Sequence, residues 1–260
     1  MQRRKFVAAA AMAALSTAAY GHQESAARHP EEENEVYELR VYTMMRGGKV
    51  RVLQDYLKTA LIPALNRMGA KKVGVFTAQG GVEPAQIYVL IPHSSFQSYA
   101  THFQELKMDK AYQTAAEAYH KVSEGDKVFE RYTSELMIAF DGIPQMKTYG
   151  DGQRFFELRT YQGYSDDAVR RKVRMFDKDE LDIFYDVDLN PVFFGHVVAG
   201  HSLPKLTYML AFESMEQRGE SWGKFVRDPR WGKISKLPEY ANTVSKIERV
   251  YLDPMEISQI

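Results

Sequence analysis

From Tyr37 to Tyr42 apolar and polar side chains alternate, the period of a strand with two unlike faces. The Gly47-Gly48 pair breaks the alternation. Val50, Leu53, Leu57, Ala60, Leu61 and Ala64 then recur at helical spacing on one face. Gly69 ends that segment. Val73 to Thr77 and Gln86 to Ile91 are β-rich and flank the Gly80-Gly81 turn, which predicts a hairpin. Ser94 or Ser95 can cap a helix reaching about Leu106, and Asp109 a second reaching roughly Lys121. Glu135 to Phe140 closes the series as a strand.

The same series then starts again. Tyr37-Glu38-Leu39-Arg40-Val41-Tyr42 recurs as Phe156-Glu157-Leu158-Arg159-Thr160-Tyr161, 119 residues later. Tyr88-Val89-Leu90 recurs as Tyr208-Met209-Leu210, and Asp109-Lys110-Ala111-Tyr112 as Asp228-Pro229-Arg230-Trp231, at nearly the same offset. Ser165 caps a helix carrying Val169, Val173, Phe176 and Leu181. Val192 to Val198 and Leu206 to Phe212 form the second hairpin, and Val244 to Leu252 the last strand. Repetition at a fixed period marks a duplicated structural unit. The order βαββαβ defines a ferredoxin-like unit, so the predicted class is α+β, with units over 36–140 and 154–254. The linker 141–153, with Gly142, Pro144, Gly150 and Gly152, separates them. Each four-stranded sheet carries helices on one face only, and its other face must also be covered. Packing the two bare faces together predicts an intrachain dimeric α/β-barrel around a small lumen.

The amino terminus follows a different pattern. Arg3-Arg4-Lys5 precedes an apolar run from Ala8 to Ala19, and small residues stand near Ala19-Tyr20-Gly21. This describes a signal peptide over 1–21. About a dozen apolar residues are too few to cross a bilayer of roughly 30 Å, so no stable membrane span is expected after its removal. The Arg3-Arg4 pair resembles the twin-arginine export signal. The expected location is therefore outside a bacterial cytoplasm, periplasmic or extracellular. Residues 22–35, with Glu31-Glu32-Glu33, read as a solvated, disordered tether.

Composition narrows the chemistry. The 260 residues contain no Cys, which excludes disulfides, thiol catalysis and Cys-ligated metals. Lys and Arg number 34 and so do Asp and Glu; loss of residues 1–21 leaves a net charge of −3. No field favours nucleic acid as a partner. A homo-oligomer stays open. No H-E-x-x-H, phosphate loop or nucleophile elbow occurs. The acidic run Asp177-Lys178-Asp179-Glu180 lacks the order of a calcium loop and reads as a solvated helix face. Trp222, Trp231, Phe103 and Tyr112 read as core anchors.

The repeated Tyr-Glu-Leu-Arg-x-Tyr strand, followed by a Gly-containing turn and a helix, resembles the NIPSNAP family. The resemblance covers nearly all of the chain beyond the tether. It implies the dimeric α/β-barrel superfamily, which also holds cofactor-free monooxygenases, small isomerases and haem proteins. The second copy departs from the pattern at Ser165-Asp166-Asp167, where a Pro-Gly or Gly-Lys turn is usual, so one half-site is expected to be altered.

Alternation places Tyr37, Leu39, Val41, Phe156 and Leu158 beneath the helices. It sends Glu38, Arg40, Tyr42, Glu157, Arg159 and Tyr161 into the lumen. Two readings follow. In the first, Arg40 or Arg159 holds a small anionic or aromatic molecule and Tyr42 or Tyr161 donates a hydrogen bond to it. Its catalytic version is a cofactor-free oxygenase or isomerase with Tyr42, Tyr161 or His196 moving a proton. In the second, Glu–Arg pairs fill the lumen of a non-catalytic binding or assembly module. His201 flanks His196, while His102 reads as an exposed helical residue. No metal site is predicted, and no cofactor, with a haem on an axial His as the alternative.

Overall fold

The computed structural model describes residues 34–46, 49–150, 152 and 155–260. The signal peptide 1–21, all but the last two residues of the tether 22–35, and the Gly47-Gly48 turn lie outside the described residues. The first copy runs β1 (Val36–Met44), α1 (Val50–Tyr56), a π-helical turn (Leu57–Leu61), α2 (Ile62–Arg67), β2 (Gly74–Ala78), β3 (Gln86–His93), α3 (Phe96–Met108), α4 (Lys110–Ala115), α5 (Glu117–His120) and β4 (Phe129–Ala139). The second runs β5 (Phe155–Gln162), α6 (Asp166–Met175), a π-helical turn (Phe176–Glu180), α7 (Leu181–Asp186), β6 (Pro191–Ala199), β7 (Lys205–Phe212), α8 (Met215–Arg227), α9 (Pro229–Ile234) and β8 (Lys246–Pro254).

Local chemistry repeats with the elements. Ser95 accepts from Ser98 N at the start of α3, and Ser214 from Gln217 N at the start of α8. Asp109 and Asp228 cap the following helices in the same way. Each cap satisfies an amide that the helix itself leaves unpaired. The two π-helical turns also fall at equivalent positions, 119 residues apart.

All eight strands are antiparallel and close into one barrel in the order β1-β3-β2-β8-β5-β7-β6-β4. The halves join at two seams, where β2 pairs with β8 through Phe76↔Pro254 and Ala78↔Leu252, and β4 pairs with β6 through Met137↔Val197 and Ala139↔Gly195. Closure leaves neither sheet an open edge.

The assignment of strand faces made from alternation is reversed in the structure. Tyr37, Leu39, Phe156 and Leu158 point into the barrel. There they pack with Phe76, Leu90, Met137, Phe193 and Met209 into an apolar core shared by both halves. Tyr42 packs beneath the helices of the first half and Tyr161 beneath those of the second. Glu38, Arg40, Glu157 and Arg159 stand on those same helix-side faces. The physical reason is partner supply. Around Tyr37, Leu39, Phe156 and Leu158 the barrel wall is apolar and offers little to a charge, whereas Ser134, His102, Arg218 and Trp222 meet the two Glu–Arg pairs on the helix side. The middle of the lumen is therefore filled by hydrocarbon and aromatic side chains rather than by Glu–Arg pairs, while toward one end a cavity of about 320 Å³ remains, lined by Leu39, Leu158, Thr160 and the buried Glu135–Lys205 ion pair.

The end of the expected tether is anchored. Asn34 Nδ2 donates to Ala139 O and to Asp141, and the Glu35 carboxylate accepts from Met146 N.

Candidate functional site

In the second copy β5 carries Glu157, Arg159 and Tyr161 on one face because strand residues alternate. β7 sets Tyr208 directly opposite Arg159. Glu157 has no measurable exposure, yet carries a charge. Four hydrogen bonds from three side chains meet its two oxygens. Arg159 donates at 3.0 Å, Arg218 of α8 donates twice at 2.8 Å, and the Trp222 indole N–H donates at 3.0 Å. Burial pushes the carboxyl pKa up, but Arg218, Arg159 and Trp222 outweigh it and hold it below the ordinary glutamate value. Burial also opposes the charge on Arg159, yet Tyr208, Tyr161 and Glu157 around it raise its pKa further.

Tyr161 is the next link. Its hydroxyl oxygen accepts from Arg159 Nη2 at 2.9 Å and from the Tyr208 hydroxyl at 2.9 Å. With both acceptor positions engaged, its own proton is directed elsewhere. The Arg159 guanidinium lies 4.4 Å from the Trp222 ring centroid. Its Nε is buried and has no hydrogen-bond partner.

These groups border a cavity of about 630 Å³ between the sheet and helices of the second copy. That is the size of a small-molecule site. Trp222, Phe225, Trp231 and Phe184 supply apolar walls, and Arg159, Arg218, Arg249 and Lys172 supply positive charge. Lys172 and Glu180 form an ion pair on the wall at 2.5 Å. Burial raises the Glu180 pKa, and Lys172 partly offsets that.

The first copy has the same strand motif, and among the described residues the cavity in its helix layer is smaller, about 340 Å³, lined by Tyr119, Val128 and Phe129 and not by Glu38 or Arg40. Glu38 and Arg40 form a two-pronged pair at 2.7 and 2.8 Å, and Ser134 donates to Glu38 at 2.6 Å. Burial opposes the Glu38 charge, but His93, Arg40 and Ser134 together hold its pKa well below the carboxylate range. His102, expected on an exposed helix face, is buried: its Nδ1 donates to Tyr99 O, and its Nε2 stands 3.4 Å from Arg40 Nη2. Tyr42 stacks on Tyr132, and Tyr56 stacks on Tyr119 and bonds Tyr112. Aromatic rings occupy the volume that stays open in the other half. The altered half-site is thus the first, although the departure noted in the sequence falls in the second.

Other expectations are corrected by placement. His196 stands on β6 near Asp166 and does not line the cavity; burial lowers its pKa. No described histidine lines this cavity. His201 lies at a mouth of the barrel, 2.9 Å from Glu135, which also pairs with the buried Lys205. The acidic run is not a uniformly solvated face, because Glu180 is buried and Asp177 accepts from Gly142 N. Of the expected core anchors, Tyr112 is buried in the first core, Trp222 and Trp231 pack on the second core while also lining the cavity, and Phe103 is half exposed. No three His, Asp or Glu side chains converge as a metal site among the described residues. No described helix is long and apolar enough to cross a membrane.

The sequence reading missed Lys172, Glu180, Tyr208 and Arg218. A signal existed for three of them, because the positions 119 residues earlier hold Leu53, Leu61 and Tyr99; for Tyr208 the sequence repeat offered Tyr88, and only strand register equates it with Val89.

The profile of the NIPSNAP family matches the chain twice, over 37–140 and 156–259. A solved protein from Lactobacillus acidophilus NCFM, provisionally assigned as a monooxygenase, is similar at 8% identity and TM-score 0.57. The likeness covers 85% of this chain and 94% of that one. A second such protein, from Fusobacterium nucleatum, is similar at 10% identity and TM-score 0.54, covering 86% and 94%. A NIPSNAP family protein of unknown function from Agrobacterium tumefaciens is 20% identical, with a TM-score of 0.37; 43% of this chain covers 97% of it. No match is found among curated proteins.

Proposed function

The chain belongs to the NIPSNAP family, and from that premise we propose that it binds a small aromatic anion in the cavity of its second copy, anchored on Arg159. The observation that carries this reading is the buried, unpartnered Nε of Arg159 beside a cavity of about 630 Å³. Leaving a buried donor unpaired costs about 1–3 kcal/mol, and a ligand acceptor would recover that. Arg159, Arg218, Arg249 and Lys172 outnumber the one carboxylate on the wall, Glu180, which favours an anion. Trp222 and Trp231 favour a flat, apolar body. Tyr161 has a proton to donate to the same ligand.

Titration with aromatic carboxylates, followed by tryptophan fluorescence and calorimetry, tests the proposal. Arg159→Ala is expected to abolish binding, and Arg40→Ala to leave it unchanged. Binding that survives Arg159→Ala, or disappears equally with Arg40→Ala, removes the assignment.

Export is proposed on the Arg3-Arg4 pair and the apolar run Ala8 to Ala19. Expressed in a bacterium, the protein is expected outside the cytoplasm with a new amino terminus near residue 22. Arg3→Lys with Arg4→Lys should hold it in the cytoplasm; an unprocessed chain in the cytosol would contradict export.

A further inference from the structure

The two copies act as controls for one another. α6 and its π-helical turn bury Lys172 and Glu180 at 5% and 2% exposure. The equivalent positions, 119 residues earlier, hold Leu53 and Leu61, each at 0%. The same helix with the same turn is therefore built without the ion pair. Burying two charges removes them from water, and hydrophobic residues of similar volume are often as stable or more so. The pair is thus not a requirement of this scaffold, and it appears where a cavity opens. Strand register, which differs by one residue from the sequence match of Tyr208 with Tyr88, sets Tyr208 opposite Arg159 where the first copy has Val89 opposite Arg40.

The pair faces groups that can stabilise developing negative charge. Lys172 Nζ donates to Glu180 and to Met175 Sδ at 3.3 Å, and lies 5.9 Å from the Tyr161 ring centroid. Arg159 reaches that same tyrosine through its hydroxyl. The cavity wall thus carries a carboxylate base, a cation fixing that base, and two donors on an adjoining strand. Protons on oxygen or nitrogen exchange with water unaided. An enclosed base beside oxyanion donors suits a weak C–H acid.

Resting on the binding reading above, we infer that Glu180 is the general base, positioned by Lys172, of a proton-transfer reaction on an aromatic carbon acid such as a 2-oxo acid. Glu180 takes a proton from the carbon beside the carbonyl. The C–H electron pair moves into the new C=C bond and the carbonyl pair onto oxygen, giving an enolate that meets Tyr161 O–H and Arg159 N–H. Glu180 then returns a proton to carbon. Nothing is oxidised or reduced.

The test uses phenylpyruvate in deuterated buffer, with loss of its C3 proton signal followed by NMR and binding measured separately by calorimetry. The wild-type protein is expected to bind and to accelerate exchange above the buffer rate. Glu180→Gln is expected to bind within about 3-fold of wild type and to lose exchange by about 100-fold or more. Lys172→Leu with Glu180→Leu copies the first half, so it is expected to fold and not to exchange. Lys172→Met is expected to move the midpoint of the pH–exchange profile upward, a change that a merely structural lysine would not produce. Binding by the wild type without accelerated exchange, or wild-type exchange by Glu180→Gln, overturns the inference and leaves the binding proposal standing. No binding at all overturns both.

Discussion

Arg159 and Trp222 share one anchor: the guanidinium lies 4.4 Å over the indole ring, and both donate to the Glu157 carboxylate. The strand residue and the helix residue are thus held by a single buried charge. Replacing Trp222 with Leu removes both the π face and the N–H. A desolvated cation–π contact contributes roughly 2 kcal/mol, so affinity for an aromatic anion should fall on the order of tenfold. Phe at this position keeps the face and should retain most of the binding. Calorimetry on the two variants separates these outcomes.

Glu157 is the joint of that arrangement. Glu157→Gln leaves the buried Arg159 and the half-buried Arg218 without their counter-charge, and breaking a buried pair costs about 3–5 kcal/mol. Denaturant unfolding should show that loss, with an unchanged dependence on denaturant concentration.

His102 gives the first half a dependence on acidity. Burial lowers its pKa below the ordinary 6.5, so the unfolded chain takes up the proton first. Its contribution to stability is complete above about pH 6.5 and declines as pH falls toward the folded-state value. Protonation also turns Nε2 from an acceptor into a donor facing Arg40. Melting temperature should therefore drop on acidification below pH 6.5, and His102→Asn should flatten that part of the profile.

Gly195 lies on the β4–β6 seam opposite Ala139. A Cβ there would meet Met137 Cβ at 2.7 Å, well inside contact distance. Gly195→Val should destabilise the protein by about 1–3 kcal/mol through overpacking. Thermal unfolding of the variant checks this, and Gly219→Ala, with open space around its Cβ, serves as the control.

The duplication, the strand order and the helix caps are all legible in the sequence, because each rests on local spacing or on a single side chain such as Ser214 or Asp228. The facing of β1 and β5 is not. Both faces of these strands are buried, so alternation separates the two sets of residues without saying which meets the helices. Tyr37 and Leu39 suit either layer. Arg40 and Arg159 go to the helix side with the acceptors Glu38, Glu157 and Tyr161 that share their strand face. The π-helical turns also escape a pattern of period 3.6, because Leu57 to Leu61 continues the apolar stripe without interruption. Which copy stays open depends on Lys172 and Glu180 replacing Leu53 and Leu61. That contrast appears only when the two halves are aligned against each other.

The two seams have a genetic consequence. Because β2 completes the other half's sheet through β8, and β6 does so through β4, the halves are inherited and assembled one to one. Two chains from a single gene would carry identical interiors, and every change would strike both. Covalent fusion lets one lobe pack its helix layer with aromatic rings while its sister carries Lys172 and Glu180 beside a cavity of about 630 Å³. Selection on that space can then proceed without jeopardising the ring that supports it.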